Sequence, residues 1–396
     1  MKAKTILVDK FLGIRNDVDI ERLALGDLSS GVNTDLDVSG KPSRRLGYTR
    51  RITGTPSSFF AAGAHGYYLD GTDLKQFTPP STSVVLRSGL SAAKRIAFVE
   101  QQGQVYYSNT EITGKISQGL ARPWGISVPS IPVATASGGT LREGFYGYTL
   151  TYIRRDGQES GAPRMGQLKV LDNQGIAFTS IPVSTNPDVV DKNIYITGRN
   201  GETPMLVGTI PNAQTTFDYK YDLPGSVACN TLFLGPPPSG HLLTYFNGRI
   251  LIAQGSYLWY TDAFAPERVN LRKNFVPVGG EITIVAPVES GVFVATQDRS
   301  IFLAGASPEK FVFTEVAPYG APLGNVVYAD GSFVTDKGIS KAVAAWMSKL
   351  GLCIGMSDGT FSNMTSSRYI LSDAKRTATV FRQRGGLTQF ISTLFT

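Results

Sequence analysis

Two histidines, His65 and His241, and two cysteines, Cys229 and Cys353, are the whole supply of those residues in a chain of 396. No histidines stand at i, i+4 and no Cys-x-x-Cys occurs, so the spacing that zinc needs is missing. Cys353 sits in an apolar run and reads as a small buried hydrophobe, whereas Cys229 reads as a loop residue. Two cysteines far apart do not make a disulfide framework. No Gly-x-Ser-x-Gly elbow is present. The glycine-containing stretches Gly26–Gly31 and Ser137-Gly138-Gly139-Thr140 lack a Walker lysine and a strand-to-helix crossover. No carboxylate run has calcium-loop spacing, and Asp35 and Asp37 share one face of a strand as alternation on an edge would place them.

Two turns could belong to a hydrolase. A sialidase-like site needs clustered arginines, carboxylates and a tyrosine nucleophile, on blades carrying Ser-x-Asp-x-Gly-x-Thr-Trp turns. Ser357-Asp358-Gly359-Thr360-Phe361 and Thr335-Asp336-Lys337-Gly338 echo that turn without its tryptophan. They read more simply as tight hairpins in which Asp and Gly accept positive φ. Trp259, within Tyr257-Leu258-Trp259-Tyr260, could stack on a sugar, but in an alternating strand it reads as interior packing. The chain is read as a non-enzyme with no cofactor and no metal.

The elements that would position these residues are short apolar strands joined by Gly/Asp/Asn turns. The phrase runs through Gly66–Phe77, Arg95–Ser108, Gly248–Asp262, Gly291–Leu303, Gly331–Ser340 and Leu352–Phe361. Hairpins recurring at roughly 40-residue spacing are the signature of a β-propeller, whose four-stranded blades bury their faces on one another. With 43 glycines, 22 prolines, 21 phenylalanines and 17 tyrosines, an all-β chain rich in tight turns is expected.

Between Pro129 and Thr231 the wording changes to alternating strands such as Gly144–Arg154, Lys192–Arg199 and Met205–Ile210, with an Arg155-Asp156-Gly157 turn. Seven or so short strands in about 100 residues suggest a fibronectin-III-like sandwich set into a propeller loop. Proline-rich flanks, Val128–Pro132 and Gly235–Gly240, read as rigid hinges. The expected layout is an extended arm over 1–56, propeller over 57–127, the inserted sandwich over 128–234 and propeller again over 235–396. At ~40 residues per blade the propeller text makes about five or six blades. Ala378–Ser392 reads as a closing hairpin whose blade an arm strand could complete, protecting the terminal edges.

The arm holds a short helical turn near Ile20–Leu25, capped by Asp17 or Asp19. A strand follows over Val32–Val38, then a Ser39-Gly40 turn and a return strand carrying Arg44 and Arg45. Those arginines could simply pair with local aspartates.

The net charge of +7 permits an acidic partner without requiring one. Its excess gathers in Phe361–Thr396, where Arg368, Lys375, Arg376, Arg382 and Arg384 face one acid, Asp373. No aromatic ladder interleaves with them, so solvated blade edges explain them better than nucleic-acid binding. No segment reaches the ~20 apolar residues of a membrane span. The apolar run at the N-terminus is too short for a signal peptide, so cytoplasmic synthesis without export by that route is expected.

Asn33-x-Asp35-Leu36-Asp37-x-x-Gly40-Lys41-x-x-Arg44-Arg45-x-Gly47-Tyr48-Thr49 resembles the opening of tail-nozzle and stabilisation proteins of short-tailed bacteriophages. Tyr245–Glu267 is similar to a blade of the same proteins. The two stretches cover Val32–Tyr48 and Gly240–Gly320, under a third of the chain. The resemblance implies a structural tail component of the virion, assembled in the host cytoplasm, with copies in a six-fold ring around the channel of genome ejection. It implies attachment to portal and adaptor proteins above and to fibre, spike or tip proteins below, with double-stranded DNA passing transiently. The arm could add a strand to a neighbouring copy, and Arg44, Arg45, Arg50 and Arg51 are candidates for contacts between copies. A conduit should not grip phosphates, so an inner face of mixed or acidic charge is expected, with the basic C-terminal stretch elsewhere. The competing reading is a glycan-binding or sialidase-like receptor-recognition propeller; another is a scaffold propeller with no virion role.

Overall fold

In the computed structural model, residues 8, 10–37, 39–45, 47, 49–222, 225–333, 341–371, 373–384 and 387–396 are described. The described chain is strand, turn and three short 3-10 segments. None of its helices is long and apolar enough to cross a membrane.

Five four-stranded antiparallel sheets each run in chain order as a meander. Blade I comprises Pro56–Ala62, His65–Asp70, Asp73–Thr78 and Thr82–Arg87. Blade II comprises Ala97–Gln101, Gln104–Ser108, Thr113–Ser117 and Leu120–Arg122. Blade III follows the insert, with Leu242–Phe246, Arg249–Gln254, Tyr257–Tyr260 and Phe275–Pro277. Blade IV is Ile284–Val288, Gly291–Ala295, Ser300–Ala304 and Val312–Ala317. Blade V is Val327–Asp330, Ala342–Ser348, Gly351–Gly355 and Phe361–Asn363. A closing hairpin, Arg376–Arg384 and Leu387–Phe395, forms a sixth sheet of two strands. This is a β-propeller.

Alternation along each strand divides its side chains between two neighbours, because successive residues point to opposite faces. Blade I gives Tyr67, Leu69 and Leu74 to the core shared with Phe98, Val105 and Tyr107 of blade II. Val99 and Tyr106, on blade II's other face, meet Ile250 and Ile252 of blade III together with Trp124. Leu251 and Leu258 pack on Val285, Val292 and Leu303 of blade IV. Phe293 and Phe302 pack on Trp346 and Cys353 of blade V. Val343 and Ile354 meet Phe381 of the closing hairpin. Burying one such aromatic or aliphatic side chain contributes about 1.5–3 kcal/mol, so these seams hold the ring together.

The seam between the closing hairpin and blade I is different. Among the described residues no apolar cluster joins the two. Arg376, Ala378 and Val380 are exposed, whereas Thr377 and Thr379 on the opposite face are buried toward blade V. On blade I, Phe59 is 58% exposed and Val85 49% exposed. The closing sheet is also half the width of the others.

The insert is a sandwich of three strands on four. Val133–Leu141, Gln174–Thr179 and Phe217–Tyr219 form one sheet; Gly166–Val170, Gly144–Arg154, Val189–Thr197 and Pro204–Pro211 form the other. Tyr146, Leu150, Val170, Ile176 and Phe178 fill the space between them. Its seven strands make the expected two-layer sandwich, with the first, fourth and seventh of them in the three-stranded sheet.

The arm forms two small sheets. Gly13–Ile14 pairs in parallel with Asp27–Leu28, and Thr34–Leu36 pairs with Pro42–Arg44. The expected helical turn is the 3-10 segment Ile20–Arg22, whose Asp19 makes no side-chain cap bond. The second strand of the pattern is shorter than expected, and Val38 lies outside the described residues. Among those residues no arm strand joins the closing sheet, against the expectation that one completes that blade. The arm's strands satisfy each other instead.

Candidate functional site

Six sheets converge on one cavity of about 940 Å³ at the propeller axis. Phe60, Phe98, Leu243, Val285, Tyr328 and Ala378 each represent one sheet in its wall. Its lining residues that can carry charge near neutral pH are Lys94, Arg95, Glu100, His241, Glu281 and Arg376. Arg95 is placed by the loop entering blade II, where the Ile96 amide donates to Ser58 Oγ of blade I at 3.0 Å. Arg376 opens the closing hairpin through a bridge to Leu323, and its guanidinium lies 5.5 Å from the Phe395 ring centre. Burial first, then the charge of Arg376, hold the Arg95 guanidinium below the ordinary arginine value.

The cavity does not carry the furniture of a tyrosine-nucleophile hydrolase. The Tyr328 hydroxyl donates to the Pro287 carbonyl at 3.0 Å, and burial pushes its ionisation upward. His241 is held by the Ile282 carbonyl at 2.7 Å through Nε2, and His65 Nδ1 lies 3.0 Å from Thr78 Oγ1 on blade I. Cys353 is fully buried in the core between blades IV and V, and burial pushes its thiol up to about 11. Cys229 is buried beside the insert, its thiol raised by burial. Trp259 packs at the edge of the core between blades II and III, its Nε1 donating to Gln254 Oε1 at 3.1 Å.

A second constellation joins the insert to the propeller. Lys115 of blade II is buried, with Nζ 3.2 Å from Glu267 Oε1 and 3.9 Å from Asp156 Oδ2 in the insert's Arg-Asp-Gly turn. Tyr106 donates to Glu267 at 3.4 Å, and Arg154 binds Asp156 at 2.5 Å. Arg122 of blade II pairs with Asp188 of the insert. At the insert's exit, a Cβ added to Gly161 would collide with the Leu234 carbonyl, so only glycine lets these segments approach. These contacts fix the orientation of the insert on blades II and III.

The third surface is the arm against the closing hairpin. Asp35 is buried, 2.9 Å from Arg45 Nε and 3.6 Å from Arg382 of the hairpin. Asp27 pairs with Arg368 at 2.5 Å and with Arg15 at 3.5 Å. Asn16 exchanges hydrogen bonds with the backbone of Ile370. The basic C-terminal stretch therefore receives the acidic arm. Of the four arginines singled out in the arm, Arg45 is engaged with Asp35, and Arg50 donates to the Ile52 and Gly54 carbonyls. Arg44 and Arg51 are exposed and have no side-chain partner among the described residues.

Lys115, Glu267 and Arg95 escaped sequence reasoning, and Arg376 was read only as part of a basic stretch, without its neighbour Arg95. Each pairing joins positions more than a hundred residues apart, and no local spacing signals it.

No protein-family model matches the chain, and no curated protein matches it. Among solved structures it is similar to the AfRom2 CNH domain at 9% identity and a TM-score of 0.28, covering 87% of this chain and 97% of that one. It is similar to apo AztD from Citrobacter koseri at 13% identity and a TM-score of 0.28, covering 82% and 87%. PorZ of Porphyromonas gingivalis matches at 9% identity and a TM-score of 0.18, covering 83% and 50%. These superpositions are too loose to bear on function, and the propeller assignment rests on the sheets themselves.

Proposed function

We propose that this chain is a structural component of the tail of a short-tailed bacteriophage, a nozzle subunit whose copies form a ring around the genome's exit path. The reading rests on the two stretches that resemble nozzle proteins and on how the fold distributes its surfaces. The arm, the insert and the propeller rim are three separate faces, as lateral and axial contacts in a ring require. In that ring the portal–adaptor complex lies above and the fibre, spike or tip proteins below.

The observation that carries the reading is the closing sheet. It has two strands where each of the five blades has four, and among the described residues its outer strand, Leu387–Phe395, pairs on one side only. A long unpaired edge is a template for another strand. The arm of a neighbouring copy would match it in charge as the chain's own arm does through Asp35 and Arg382: residues 17–37 hold six acids and one base, whereas residues 376–395 hold three arginines and no acid. The arm also exposes Val32, Ile20 and Leu25, at 87%, 72% and 63%, with no core to cover them. Arg44 and Arg51, without a side-chain partner among the described residues, are the arginines left for contacts between copies.

Mixing two full-length variants, Val32→Cys and Thr393→Cys, tests this. Both native cysteines are buried, so background oxidation is low. A disulfide-linked dimer formed by the mixture and by neither variant alone is expected. Chains that stay monomeric and unlinked in the mixture contradict the reading.

The glycan reading draws on the axial cavity. Sialidase-like hydrolysis there lacks a free tyrosine nucleophile among the described lining residues, since the Tyr328 hydroxyl is committed to a carbonyl. Binding alone is tested by a glycan array.

A further inference from the structure

We infer that the axial cavity holds an oxyanion-binding site built from Arg95 and Arg376, taking a tetrahedral, multiply charged ligand of phosphate or sulfate chemistry. The two side chains are far apart in the chain, yet both line the same cavity, and the charge of Arg376 bears on Arg95. Arg95 has no hydrogen-bond or ion-pair partner among the described residues. Arg376 has only the Phe395 ring against its guanidinium.

An unpaired, partly desolvated guanidinium is costly, and a second like charge beside it adds to the cost. Proteins relieve that cost with a carboxylate or a bound anion. Glu100 and Glu281 line the cavity too, but among the described residues neither forms an ion pair with Arg95 or Arg376. The cavity's own carboxylates therefore leave the pair uncompensated. Two arginines lining one space suit an anion that accepts several hydrogen bonds, as phosphate and sulfate do. Lys94, exposed at the rim beside Arg95, adds a third positive charge. The surrounding wall is largely apolar, including Phe60, Phe98 and Val285, and offers the arginines few competing partners.

The site does not involve the arm, so it stands whether or not copies assemble into a ring.

The test is calorimetric titration of the full-length protein with inorganic phosphate, inorganic sulfate and glycerol phosphate, with sodium chloride holding ionic strength constant. Saturable binding of phosphate is expected, with at least tenfold weakening in Arg376→Met and in Arg95→Met. Arg376 is exposed, so its variant keeps the test intact if Arg95→Met fails to fold. Lys310→Met, outside the cavity, should bind as the parent does. Tighter binding of glycerol phosphate than of inorganic phosphate would identify a phosphate ester as the ligand, and the reverse order a free ion. Heat no greater than that of chloride, or binding that survives both arginine substitutions, overturns the site.

Discussion

Asp35 of the arm lies 3.6 Å from Arg382 of the closing hairpin, across 347 positions of sequence, while also holding Arg45 at 2.9 Å. Arg382 projects from the hairpin face away from blade V, because its neighbour Phe381 packs into that blade. The arm is thus docked over the side of the hairpin that no blade core covers. Asp35→Asn should weaken both ion pairs and cost about 1–3 kcal/mol, the range for a hydrogen bond lost from a charged buried group. Limited proteolysis should then cleave the arm several-fold faster while the blades stay resistant. An unchanged cleavage rate would show that Asp35 does not dock the arm.

Lys115 tests the seating of the insert. Lys115→Met leaves Glu267 and Tyr106 buried around a missing cation, and breaking a buried pair costs about 3–5 kcal/mol. Replacing both charges, as Lys115→Met with Glu267→Leu, should recover most of the loss. Chemical denaturation of the two variants measures it, and equal losses in both would refute the pairing.

Acid should loosen the same junction. Burial pushes Asp156 upward, but the hydrogen bond and charge of Arg154, aided by Lys115, outweigh it and hold the carboxyl below the usual aspartate value. A carboxylate depressed in the folded state adds stability above its unfolded value and loses it as pH falls through the folded value. The contribution should therefore fade from about pH 4 downward. Asp156→Asn should flatten that part of the stability–pH curve; an unaltered slope would place the acid sensitivity elsewhere.

Much of this architecture was legible in the chain, and the reason is local. A blade is a meander, so its strands, turns and alternation lie within some 35 consecutive residues, as in Gly248–Asp262 with its Asn247-Gly248 turn at positive φ. The insert was legible because its proline-rich flanks and aromatic alternation break the blade pattern. What closes the ring is not local. Nothing near Arg95 announces Arg376, and nothing near Asp156 announces Lys115. The arm was half legible: its hairpin was foreseen, and so was a local aspartate partner for an arginine, which Arg45 has in Asp35. Docking on Arg368 and Arg382 depends on tertiary proximity alone.

Trp346 poses a smaller question. Its ring is 1% exposed between blades IV and V, yet its Nε1 finds no acceptor. An orphaned buried N–H costs about 1–3 kcal/mol, so Trp346→Phe should lose little, within about 1 kcal/mol, as relief offsets the smaller ring. Trp346→Ala should lose about 3–5 kcal/mol by opening a cavity. Thermal unfolding of both variants separates the two effects; a Phe variant as damaged as the Ala variant would mean that the N–H is satisfied in solution.

The ring proposal makes its sharpest commitment in the closing sheet, whose outer edge should be filled by another copy. The light-scattering mass of the full-length protein, followed to high concentration, addresses this most directly. The account predicts a mass rising to a multiple of 42.6 kDa, with that rise abolished when the arm is removed. A mass fixed at 42.6 kDa over the whole range, with the edge of Leu387–Phe395 still unprotected from amide exchange, would contradict it.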